Sequence, residues 1–181
     1  LCSKLPIRQY LLKSKQAWLI SIAGMLIFTP FLLLTNTFGI ALLQKKLNIP
    51  LGHAATIFQN IQIGFAIGAP TIGYISDRIK RYRLPVIIST VCALCLSLML
   101  IYLNLDLLSN KLILLLLGIA LSGFLPLFSL MKSLHDNKIR ATSLGFMNTL
   151  NMLGVALIQP CVAWLLNITL TSGSDIHDLL T

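Results

Sequence analysis

Gly64-Phe65-Ala66-Ile67-Gly68-Ala69-Pro70-Thr71-Ile72-Gly73-Tyr74-Ile75-Ser76-Asp77-Arg78-Ile79-Lys80-Arg81-Tyr82-Arg83 passes from uncharged, small-residue-rich sequence straight into one acid and four bases within seven residues. Apolar sequence resumes at Leu84 and continues to Leu103. Two membrane-length apolar runs joined by so short a charged segment must turn back on each other at a membrane surface. The glycines permit close helix approach, as small-xxx-small spacing does in lipid. The bases stop the chain on the side where Lys and Arg collect.

The rest of the chain has the same texture. Apolar residues make up 56% and charged residues 10%, and Glu is absent, so the bilayer rather than water is the solvent. The formal net charge of +9 sits in short segments between the apolar runs, without aromatic interleaving. Topology and lipid headgroups account for it, and nucleic acid is not indicated as a partner. Cys92-Ala93-Leu94-Cys95 has CxxC spacing but no second pair and no nearby His. Thiolates there would be costly, and the cysteines read as small apolar residues. His53, His135 and His177 form no ligand cluster, so neither a metal nor a cofactor is expected. The chain begins Leu1-Cys2-Ser3 without a signal-peptide pattern and reads as a piece of something longer.

The fold class expected is all-α: a polytopic membrane helical bundle with five transmembrane helices. A basic lead-in, residues 1–16, lies on one membrane face. Spans follow at about 17–43, 54–75, 84–103, 112–131 and 141–166, with 167–181 a polar tail. Pro30 should bend the first span. Lys4, Arg8, Lys13, Lys15, Arg78, Lys80, Arg81, Arg83, Lys132, Lys138 and Arg140 fall in one set of loops, and only Lys45, Lys46 and Lys111 in the other. The positive-inside rule then makes the lead-in cytoplasmic and the tail extracytoplasmic.

Gly73-x-x-x-Asp77-Arg78, followed by Arg81 and Arg83, resembles the signature loop of the major facilitator superfamily, G-x-x-x-D-[RK]-x-G-[RK]-[RK]. Lys80 stands where the second Gly belongs and Tyr82 interrupts the basic pair, wear more typical of the copy in the second half of such transporters. Residues Leu144 to Trp164 also resemble the eleventh helix of the family. The resemblance implies five spans of a six-helix half, helices seven to eleven. The N-terminal half and the last helix would be the missing partners. It also implies that Gly73, Asp77, Arg78, Arg81 and Arg83 brace one conformation.

No expected span contains Asp, Glu, Lys, Arg or His, so an intramembrane carboxylate relay is excluded from this chain. What remains for chemistry is carboxamides: Asn36, Gln59, Gln62, Asn148, Asn151 and Gln159. A carboxamide facing lipid is unfavourable, so these should face protein or a water-filled cavity. Asn148 and Gln159 fall on one helical face, as do Gln59 and Gln62. The resemblance implies that spans one, two, four and five border a central cavity and that span three is peripheral. The function expected is part of a secondary transporter moving a small organic solute across a bacterial inner membrane by alternating access, not an enzyme. A non-transport scaffold using the small-residue faces is the alternative.

Overall fold

The computed structural model describes residues 13–79, 81–103 and 105–171. Most of the lead-in, including Lys4 and Arg8, lies outside the described residues, as do Lys80 and the tail from residue 172. Among the described residues the chain is helical without strands. It makes five passes. The first is α1 (Lys15–Leu33), a π turn (Leu34–Phe38) and α2 (Gly39–Leu47). The second is α3 (Leu51–Phe58) and α4 (Asn60–Ile79), and the third α5 (Arg83–Tyr102). The fourth is α6 (Leu107–Leu121), a 3-10 turn (Ser122–Phe124) and α7 (Pro126–Ser133); the fifth is α8 (Asn137–Thr171).

Four passes contain a helix long and apolar enough to cross a membrane: Lys15–Asn36, Arg83–Tyr102, Leu107–Ser133 and Ile139–Leu165. The second pass is not among them. It breaks at Gln59, and Asn60, Gln62, Asp77 and Arg78 dilute the longer piece.

The interruptions have local causes. Pro30 removes one ladder donor in α1, and the Thr35 hydroxyl donates back to the Phe31 carbonyl at 2.9 Å where the π turn begins. At the Gln59 break, Asn60 Nδ2 donates to the Ile57 carbonyl at 2.7 Å, taking over an acceptor that the ladder would use. In the fourth pass Pro126 cannot donate to residue 122 and crowds its carbonyl, so the chain tightens into a 3-10 turn just before it.

Small residues set the packing. A Cβ on Gly64 would overlap the backbone carbonyl of Leu115, and one on Gly118 would overlap that of Ile61. One on Gly68 would sit 2.5 Å from Ser122 Oγ and 2.7 Å from Ile119 Cα. The order of these contacts makes α4 and α6 parallel neighbours in backbone contact. Gly123 admits Ser89 of α5 on another side of the fourth pass.

A second parallel pair is α1 with α8. The Trp18 and Phe146 rings meet edge to face at 5.1 Å, Gly24 faces Met147 and Asn151, and Gly154 faces Met25 and Thr29. One apolar core gathers Phe31, Leu43, Phe58, Ile61, Leu100, Leu114 and Leu117. A smaller one, towards the end of the bundle carrying the bases, holds Ala17, Val86, Leu127, Met131 and Met147.

Gly118→Val should therefore cost about 1–3 kcal/mol or more, since the strain falls on backbone rather than on a flexible side chain. Gly145→Ala, where an added Cβ meets nothing within 4 Å, should leave stability unchanged or slightly raised. Thermal unfolding in detergent reads both, and equal losses would contradict the close-approach account.

Candidate substrate cavity

The three interrupted passes meet around phenylalanines. Phe31 stacks on Phe65 with centroids 5.2 Å apart, and Phe28 lies 5.0 Å from Phe124. Phe124 in the 3-10 turn also contacts Phe65 at 6.3 Å and Phe128 at 6.0 Å. Such pairs contribute about 0.5–1.5 kcal/mol each beyond their buried area. They tie the first, second and fourth passes together beside their irregular backbone. Gly39 closes the π turn onto Phe58, since a Cβ there would overlap the Phe58 ring.

The six carboxamides divide into two groups. Asn36 lies in the π turn, Gln59 at the break in the second pass and Gln62 one turn beyond, all with exposed side chains. Asn148 and Gln159 are exposed on α8, and three helical turns between them keep them on one face. Asn151 is separate. It is 1% exposed and turned into the α1–α8 seam, where a Cβ on Gly24 would lie 3.0 Å from its Oδ1. Both amide atoms lack partners there, as do Ser21 Oγ and Thr29 Oγ1 on the facing helix.

The signature residues are exposed except for half-buried Gly73. A Cβ on Gly73 would meet nothing within 4 Å, unlike one on Gly64 or Gly68. Within the described residues Asp77 forms no ion pair, and Arg78 Nη1 donates to Tyr74 Oη at 3.2 Å. At the neighbouring loop, bases cap the end of α7. Arg140 Nε donates to the Lys132 carbonyl at 3.1 Å, and His135 Nδ1 lies 3.0 Å from the Met131 carbonyl oxygen. The Arg140 cation suits that end, where the last carbonyls of a helix are unpaired.

Two surface hollows lie at helix ends and take in none of the six carboxamides. One of about 510 Å³ is lined by Ala41, Gln44, Lys45, Asn48, Ile49 and Pro50. The other, about 350 Å³, is lined by Lys13, Lys15, Trp18 and Leu19. Among the described residues no group of His, Cys, Asp and Glu could hold a metal ion.

Comparison with known families matches residues 2–159 to the Major Facilitator Superfamily. The chain belongs to this family. Nothing among curated proteins and nothing among solved structures matches it. Membership in a transporter family makes this an integral membrane protein concerned with transmembrane transport.

The phenylalanine cluster and the seam hydroxyls of Ser21 and Thr29 are absent from the sequence-based set of site residues, which included Asn151 as a cavity residue rather than a seam residue. A signal for the seam was present: Ser21-x-x-Gly24 and Asn151-x-x-Gly154 carry the same polar-to-small spacing on two helices. Phe28 with Phe31 and Phe124 with Phe128 are spaced to share a face, but spacing does not say which faces meet.

Asn151→Leu removes two buried polar atoms that have no partner, so the fold should tolerate it or gain up to about 1–3 kcal/mol. Gly154→Leu, driven into Met25 and Thr29, should lose stability. If Asn151→Leu is as damaging as Gly154→Leu in thermal unfolding, the amide has a structural bond within the seam.

Proposed function

We propose that this chain is part of a secondary transporter that moves a small polar organic solute across an inner membrane by alternating access. The observation that carries the reading is the convergence of three interrupted passes on the phenylalanine cluster. In transporters, broken helices flank the midplane binding site, because their irregular backbone needs protein or water-filled space around it. Asn36, Gln59 and Gln62 lie on the first and second passes, with exposed side chains available to bond solute or cavity water. Asn148 and Gln159 lie on one exposed face of α8, while Asn151, buried in the seam, is left out of the cavity set.

Gly73, Asp77, Arg78, Arg81 and Arg83 act as the conformational brace in this reading. The open space beside Gly73 and the exposure of Asp77 suit a partner surface outside this chain, the other six-helix half. The lead-in is cytoplasmic and the loop at Asn48 extracytoplasmic, following the distribution of bases.

Intact transporter in vesicles, offered a panel of polar organic solutes, tests the reading. Gln62→Leu and Asn148→Leu should each reduce uptake about two- to ten-fold, the worth of one hydrogen bond, with unchanged insertion. Uptake equal to the parent in both would remove these residues from the cavity, and no uptake of any solute by the parent would favour a scaffold. Cysteine at Asn48 should react with an impermeant thiol reagent from outside and cysteine at Tyr82 should not; the reverse pattern inverts the orientation.

A further inference from the structure

A charged side chain joins two passes far apart in sequence. Lys46 Nζ donates to the carbonyl oxygens of Leu100 and, at 2.6 Å, of Leu103. The Leu100 carbonyl belongs to the last turn of α5, and Leu103 is the residue just after it, where the chain leaves the helix in an extended conformation. The last turn of α5 contains no base of its own. Lys46 therefore brings from another helix the cation that the negative end of α5 favours, and occupies acceptors that a helix end leaves unpaired.

Lys46 sits on α2, the arm of the first pass beyond the π turn. Apolar contacts also seat this arm: Leu43 is fully buried in the core that includes Leu100, and Gly39 abuts Phe58. Its remaining covalent link to α1 is the π turn, where the regular ladder is interrupted.

We propose that Lys46 is a positioning residue: its ammonium holds the arm Gly39–Leu47 against the last turn of α5, and its release lets the arm swing about the π turn. That the swing opens or closes one mouth of a pathway rests on the transport reading. The tether itself rests on the contact.

The test measures distances between spin labels in the intact transporter in a bilayer, without solute. One pair sits at Ala41 and Leu98, across the tether, and a control pair at Lys15 and Ala141, at the opposite end of the bundle. In the parent the outer pair gives one narrow distance. Lys46→Met should raise a longer-distance population at least about five-fold, the lower range for loss of a charge-assisted contact that is partly screened by water. Lys46→Arg should return it, and the control pair should not change in any variant. An outer distribution in Lys46→Met equal to the parent overturns the tether, and so does a shift shared equally by the control pair. If Lys46→Met does not insert, Lys46→Gln, a donor without charge, is read the same way. Solute flux in the same variants is scored separately: a shifted outer distance with unchanged flux keeps the tether and removes its link to transport.

Discussion

Backbone contact between α4 and α6 is the constraint on which the bundle depends. Lipid tails are as apolar as leucine, so helices in a membrane gain little from hiding apolar surface from one another. Attraction must come from dispersion at short range, and it falls off steeply once a side chain intervenes. Gly64, Gly68 and Gly118 remove the intervening atoms at three successive levels. The fourth pass becomes the centre of the bundle: 61% of its membrane window is buried, against 17% for the third pass, which touches it from outside through Ser89 and Gly123.

How much of this was readable beforehand follows from what each kind of signal encodes. The order of apolar runs and charged turns gives the passes, because run length against bilayer thickness is a one-dimensional property. The small-residue stretch from Gly64 to Gly68 announces close packing for the same reason: only a missing side chain allows it. Periodicity says that two residues share a face but not what that face meets. Asn148 and Asn151, three residues apart and equal as carboxamides, therefore separate into an exposed group and a fully buried one. Gly73 is the reverse case. Its motif makes it prominent in sequence, yet among the described residues an added Cβ there would meet nothing within 4 Å. The π turn was also hidden, since Pro30 announces a bend but not the extra residue taken up after Thr35.

The polar groups then separate by what surrounds them. At the interrupted helices, side-chain oxygens and nitrogens of Thr35, Asn60 and Ser122 bond back to their own backbone. Such bonds cost no long-range order and leave the adjacent carboxamides Asn36, Gln59 and Gln62 exposed. In the α1–α8 seam the balance differs. Ser21, Thr29 and Asn151 are buried without partners, while Gly24 and Gly154 bring the two helices close. Close packing outweighs hydrogen bonding along that seam, and a buried polar atom without a partner is a standing cost. A seam holding such a cost resists separation through its packing but gains nothing from its amide.

The first pass joins these two regimes. Near Trp18 it runs beside α8, and beyond the π turn its arm leaves α8 for Phe58 and the end of α5. A straight helix would have stayed with one neighbour. The extra residue in the π turn rotates the faces after Phe38 relative to those before it. Ser21 and Gly24 can then face the seam while Leu43 enters the other core. Phe28 and Phe31, just before the turn, hold the crossing point against Phe65 and Phe124. The seam end has small residues and unpaired polar atoms, and the far end has a single lysine reaching across to α5.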